Sequence, residues 1–407
     1  MKILIWDCDF NISNSGGPAG YLYNIKEFLH HSGGECPDKI YFLKDIQSNE
    51  SGEQLSFIKI KKKIGFTSHL KKYDIWGISA IRTCLTLLRK WRNCYDESVL
   101  IGVDLNSFDV IHYHSSQDLY RSNLLLKNFR GIVILTTHSP QPVSFEMTDI
   151  IPNSNYLFKL VFRSLFLKYE LLAWKRAHYL MFPVKGAVTP YTCYKPFENF
   201  YNQNIERFVY CPTSILDKEN VMNRDKLIEH LGLNSSFFIV SFIGRHNSIK
   251  GYDLLKKYAN AILKEFPDVY FLIGGSEGPL QRLKNDRWIE LGWIDYGNDL
   301  IAASDLFILP NRQTYFDLIA LEVLRNGTPI FLSNTGGNTF FREIGSADSD
   351  IYFFDIEYFD IDILYNLITF LKTRKKAGKS SNRSLYETYF SMDKYVERYF
   401  ALLNKLS

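Results

Sequence analysis

No two of the six cysteines stand at C-x-x-C spacing: Cys8, Cys36, Cys84, Cys94, Cys193 and Cys211 are scattered along the chain. That pattern argues against a zinc centre and against a secreted disulfide framework, and it fits reducing cytosol. An excess of one charge is missing too. Lys and Arg total 48 against 44 Asp and Glu, a net charge of +4, so a nucleic-acid partner held by a wholly basic surface is not expected. The opening "MKILIWDCDF" meets an acidic residue after a short apolar run, and reads as a first buried strand rather than a signal peptide or membrane span. No repeat at a solenoid period is visible.

What is present suffices for two cores. The 407 residues are 46% hydrophobic, which excludes disorder and accommodates two domains of ordinary size. Aromatic residues reach 15%, which decides nothing alone, because aromatics fill cores as readily as they bind sugars.

Short β-rich runs alternate with helical patterns in the first half. "KILIW" (2–6), "KIYFL" (39–43), "DVIHYH" (109–114), "IVILTTH" (132–138) and "YLMFPV" (179–184) read as strands, with helices near 21–30 and 155–178. After a Pro-bearing stretch without clear period, taken as a linker near 205–220, the alternation restarts with "FFIVSFIG" (237–244). "VYFLIGG" (269–275), "LFILPN" (306–311) and "PIFLSN" (329–334) follow as strands, and a helix over 317–326 ends at Gly327. Such alternation predicts an α/β protein of two doubly wound, Rossmann-like domains with parallel sheets. The basic stretch 372–384 reads as a mobile connector before a tyrosine-faced terminal helix.

Chemistry is suggested at two places. In "FIGRHNSIKGYDLL" (242–255), Arg245 and Lys250 flank one loop at a strand's carboxyl end, where ligands of open α/β sheets bind. A solvated loop bearing two cations is the plain alternative. In "LPNRQTYFDLIALEVLRNGTPIFLSNTGGN" (309–338) a helix starts near Phe316, and its unpaired amides make an anion site. Glu322, one to two turns in, is placed to accept bonds from neighbouring hydroxyls, or else pairs with Arg325 or Arg312 across a helix turn.

These motifs carry a resemblance. G-R-x4-K-G, "GGSEGPL" (274–280), "LGWIDYGNDLIAASDLFILPN" (291–311) and "ALEVLRNGTPI" (320–330), in that order, resemble the carboxyl-terminal domain of family-four retaining glycosyltransferases of GT-B fold. "SGGPAGYLYNI" (15–25) resembles the family's Gly-rich first loop, "ILTTHSP" its histidine loop, and "FSMDKYVERYF" the helix that crosses back to the first domain. The resemblance implies two Rossmann-like domains facing a cleft. Residues 1–205, completed by the helix 386–407, would bind the acceptor, and residues 213–385 the nucleotide-sugar donor.

It further implies a cytoplasmic, metal-independent enzyme that moves a sugar from a UDP- or GDP-sugar to a hydroxyl with retention, in surface-polysaccharide or glycoconjugate assembly. No cofactor is implied beyond that co-substrate. The acceptor would be a glycan, a lipid-linked sugar or a protein. Arg245 and Lys250 would neutralise the diphosphate as catalytic residues, and His138 would approach the donor sugar, a lone strand-end histidine being otherwise structural. Glu322 would hold the ribose; Thr314, Tyr315, Phe316, Asp317 and Leu318 would line the donor loop. Gly16 and Gly17 would allow backbone approach, and Trp293 and Ile294 would meet the base.

The chain departs from the pattern where the family has a glutamate eight positions before the ribose glutamate, followed by Pro-Phe-Gly. Here stand Thr314 and "YFD". Asp317 adds negative charge where a diphosphate should dock, or caps the helix. A catalytically degenerate partner subunit or glycan-binding protein is therefore the rival reading, and a UDP-sugar epimerase a further one. The triplets "DCD" (7–9), "DSD" (348–350) and "DID" (360–362) are short, and no metal is assigned to them, the last two being placed in a peripheral loop. Segments 57–73 and 155–180 mix cations with apolar residues. They suit either a membrane-facing surface at the inner face of the cell membrane, or a solvated loop and a buried helix.

Overall fold

The computed structural model describes residues 1–14, 17–31, 39–51, 76–151, 155–234, 236–345, 348–358, 360–374 and 380–406. Gly16 and the lysine-rich segment 57–73 lie outside the described residues.

Twelve strands are described: β1 (Ile3–Trp6), β2 (Ile40–Phe42), β3 (Val110–Tyr113), β4 (Ile132–Leu135), β5 (Tyr179–Phe182), β6 (Phe208–Tyr210), β7 (Phe238–Ile243), β8 (Val269–Gly274), β9 (Trp288–Gly292), β10 (Leu306–Leu309), β11 (Ile330–Ser333) and β12 (Ile351–Phe354). They form two six-stranded sheets, ordered β2-β1-β3-β4-β5-β6 and β12-β11-β10-β7-β8-β9. Every pairing is parallel. The central strands carry continuous apolar runs because helices cover both faces. β1, β3, β10 and β11 are buried at every position.

The first sheet runs past the boundary at residue 205, since β6 pairs with β5 through Leu180 and Phe208. The terminal helix Met392–Leu406 returns to this sheet. Its Tyr395, Tyr399 and Leu403 join Ile3, Ile5, Leu22 and Ile134 in one core cluster. At about 1.5–3 kcal/mol for each fully buried large apolar side chain, those three make the helix part of the first domain's core. Nor is the connector before it wholly mobile. Ser381–Leu385 is helical, and the buried Asn382 amide donates to the carbonyls of Thr328 and Asp350.

The lobes touch. Tyr315 of the second stands 5.6 Å from the Phe182 ring and 6.2 Å from the His138 ring of the first. A Cβ on Gly186 would lie 2.3 Å from the carbonyl oxygen of Gly336, and one on Gly20 would lie 3.6 Å from Leu318 Cδ1.

The acidic triplets do structural work. Asp7 is fully buried and accepts from the Lys44 amide. Asp350 precedes β12 and pairs with Arg374, and Asp360 caps the helix Ile361–Thr373. The last two thus belong to folded elements, not to a peripheral loop.

Candidate nucleotide-sugar site

In the second sheet β8 and β9 extend to one side of β7, and the chain then crosses to lay β10 on the other. The crevice beyond the carboxyl ends of β7 and β10 is the place such a reversal opens for a ligand. Two loops meet there. The β7 loop carries Arg245 and Lys250 and ends at Gly251, which enters the helix Tyr252–Glu265 with φ +65°. The β10 loop carries Asn311 and Thr314 to Asp317 and enters the helix Leu318–Asn326. Gly251 sits so close to the second loop that a Cβ would stand 1.7 Å from the Pro310 carbonyl oxygen. The Arg312 amide donates to the Ile249 carbonyl at 2.9 Å, and the Arg312 guanidinium holds both Asp253 oxygens.

The two predicted cations behave differently. Arg245 is exposed, and among the described residues its guanidinium has no ion-pair or hydrogen-bond partner. Lys250 Nζ donates to both oxygens of Asp317, at 2.8 and 2.7 Å. Asp317 does occupy the N-cap position, yet its side chain bonds no helix amide. It turns instead to Lys250 and to the amide of buried Asn311, so the capping role expected for it is not what the structure shows. The Ala320 amide donates to the Asp317 carbonyl at 3.1 Å, and the Leu318 and Ile319 amides before it have no partner within the helix.

Glu322 is half-buried. Burial pushes its carboxyl up, while Arg325 and Lys218 pull it the other way. The surface ion pairs weighed for it do not form: Arg325 is bonded to Asn298 Oδ1 and the Leu216 carbonyl, and Arg312 to Asp253. Among the described residues no donor bonds its carboxylate, which leaves both oxygens for hydroxyls.

Three predicted positions are structural. Tyr315 and Phe316 are buried, Phe316 stacking on Phe341 at 5.4 Å, so their side chains cannot line a donor loop. Thr314 is 1% exposed and its hydroxyl has no partner. These side chains turn inward because the segment packs on Gly336 and Gly337, where Cβ atoms would come within 2.2 Å of the Thr314 and 2.0 Å of the Tyr315 carbonyl oxygens. Leu318 faces the first lobe at Gly20. Gly17 starts the helix Gly17–His31 with φ +59°, and a Cβ there would meet nothing within 4 Å among the described residues. Ile294 reaches back toward Gly274, and Trp293 stands 77% exposed after β9.

His138 is brought to the lobe interface and does not stand alone. His112 and His114 alternate on β3 and its exit, so both project to one face of the sheet. His114 Nδ1 shares a hydrogen bond of 2.9 Å with His138 Nε2. His112 bonds Tyr399 of the terminal helix and Thr136, and the Tyr21 ring lies 5.4 Å from His114 and 4.9 Å from His138. Burial pushes His138 down to about 3. The ring is neutral at ordinary pH and acts as a hydrogen-bonding group, not a cation. Sequence reasoning missed His114 and Tyr21 as supports, although "HYH" at strand period was the signal.

Residues 238–350 match the family described as Glycosyl transferases group 1. Across the whole length of both chains the structure is similar to Anabaena Alr3699/HepE in complex with UDP, at a TM-score of 0.59 and 14% identity. The chain has the GT-B fold and carries a group 1 glycosyltransferase domain. This bears out the resemblance to family-four glycosyltransferases. A glycogen synthase of Flavobacterium johnsoniae is 34% identical over 126 residues, 28% of this chain and 27% of that protein. A UDP-Gal:alpha-D-GlcNAc-diphosphoundecaprenol alpha-1,3-galactosyltransferase of Escherichia coli is 28% identical over 149 residues, 34% of this chain and 37% of that protein. The match thus spans 27% and 37% of the length of these curated relatives; the group 1 family match at 238–350 includes Arg245, Lys250 and Glu322.

Proposed function

We propose that the protein transfers a sugar from a nucleoside-diphosphate sugar to a hydroxyl acceptor, with retention of anomeric configuration and without a metal ion. One observation carries the reading. At the switch point of the second sheet the β7 loop carries Lys250 and Arg245, the latter without a partner among the described residues, and the β10 loop leads into the amide end of the helix Leu318–Asn326, with Glu322, its carboxylate without a donor among the described residues, one turn in. A departing nucleoside diphosphate gains negative charge, so fixed donors aimed at it lower the barrier, while Glu322 accepts from the ribose hydroxyls. His138, neutral and held by His114, offers a hydrogen bond from the opposite lobe where the two lobes meet. The Anabaena protein has also been solved with UDP-glucose, which supports a UDP donor.

Calorimetric titration with UDP, GDP and their sugars tests this. Saturable binding of one nucleotide and its sugar is expected, and silence toward all of them would overturn the reading. Silence would instead favour a degenerate partner subunit, which Thr314 and the Lys250–Asp317 pair make the natural second reading.

The proposal extends to the acceptor side: a lipid-linked sugar in polysaccharide assembly, at the inner face of the membrane. Ile150, Tyr156, Leu157, Phe158, Leu160 and Val161 are 40–76% exposed around the start of the helix Tyr156–Arg176. Exposed apolar side chains in that number favour an interaction surface, and the first two turns of the helix are mostly exposed rather than buried. No helix among the described residues is long and apolar enough to span a bilayer, so the contact would be peripheral. Leu157→Asp with Val161→Asp should lower sedimentation with anionic vesicles at least fivefold while leaving nucleotide affinity unchanged. Equal sedimentation of both proteins would remove the membrane assignment.

A further inference from the structure

Asp317 occupies a position that the binding site has no evident reason to make acidic. Its carboxylate lies at the start of the helix that should receive phosphate, and it spends both oxygens on the lysine that should do the same. This is not a chance meeting of two mobile surface chains. The side chains are 25% and 18% exposed, Asn311, itself fully buried, donates to the same carboxylate, and the Lys250 amide is fixed by Asn247 Oδ1 at 2.9 Å. Behind Lys250, Gly251 is wedged on Pro310. The scaffold therefore holds donor and acceptor of the pair from two loops 67 residues apart.

We infer that Asp317 is a positioning and specificity-determining residue that stands in for a donor phosphate on Lys250 and sets how tightly the nucleoside diphosphate is held. The inference rests on the nucleotide-sugar reading above. With Lys250 paired, Arg245 is the cation of these two loops left without a partner among the described residues. An arriving donor either displaces Asp317, leaving a half-buried carboxylate beside its own phosphates, or binds without Lys250. Both weaken the hold. The penalty is larger for the free nucleoside diphosphate than for its sugar ester, because the product carries more negative charge at neutral pH. Asp317 thereby discriminates against product, and re-pairing with Lys250 accompanies product departure.

Asp317→Asn keeps the side chain's size and removes its charge; Asp317→Ser is a second variant should the first fail to fold. Titrated with UDP, GDP, UDP-glucose and GDP-mannose, each variant should bind its nucleoside diphosphate at least tenfold more tightly than the wild type does. The gain for the sugar ester should be smaller. The gain should shrink at least threefold when Lys250→Gln is added, since the part of it that comes from freeing the lysine is then lost. In turnover the donor KM should fall together with kcat, a split that a packing defect would not produce. Binding unchanged or weaker in both variants, with a wild type that does bind, overturns this inference and leaves the donor assignment standing. Failure of wild type and variants alike to bind any of the four overturns both.

Discussion

Arg245→Ala should reduce sugar transfer by roughly two to three orders of magnitude, the loss seen when one donor to a developing anion is removed. The thermal midpoint should stay in place, because Arg245 is exposed and has no partner among the described residues. That combination makes it the cleaner of the two cation variants. Lys250→Ala removes a charge and also strands Asp317 with only the Asn311 amide, so its effect mixes lost phosphate contact with an uncompensated carboxylate. Initial-rate kinetics with a thermal melt on the same preparation separates the terms. A midpoint that falls with activity in Arg245→Ala would mean that the arginine is structural.

Gly251→Ala should destabilise the protein by about 2–5 kcal/mol and abolish nucleotide binding with it. Two costs add at this position. A residue with a Cβ pays about 1–2 kcal/mol for the left-handed conformation, which the φ of +65° requires. Its Cβ also collides with the Pro310 carbonyl at 1.7 Å, and forcing a packed backbone apart costs about 1–3 kcal/mol. Gly17→Ala is the control. It has a similar φ of +59° but nothing within 4 Å among the described residues, so it should show the conformational cost alone. Urea unfolding of both variants measures the difference, and equal losses would show that the β7 and β10 loops are not in contact as described.

The central strands were legible because a parallel strand covered on both faces is largely apolar: β1, β4, β8 and β10 are so throughout, and β3, β7 and β11 carry one polar residue each, His112, Ser241 and Ser333. The strands that sequence reading passed over, β6, β9 and β12, all lie at sheet edges. There one side is free and the pattern relaxes: β9 reads "WIELG" with a half-buried Glu290, and β12 is buried only at its ends. Motif spacing could point to Arg245, Lys250 and Glu322, since each spacing is local to a strand end and the helix that follows. What spacing could not give is the state of those charges. That Lys250 is paired, while Arg245 has no partner among the described residues, depends on a contact across 67 residues. That Tyr315 and Phe316 turn inward depends on the later glycines at 336 and 337. His138 was read as a lone histidine because its supports, His114 and Tyr21, come from other strands and helices.

The central claim is that two loops and one helix end share a single diphosphate. A crystal structure of the protein soaked with the nucleotide that binds in titration tests it most directly. The account predicts phosphate oxygens within hydrogen-bond distance of Arg245 and the Leu318 amide, and ribose hydroxyls on Glu322. A nucleotide found elsewhere, with Arg245 still in solvent and Glu322 still unpartnered, would contradict it.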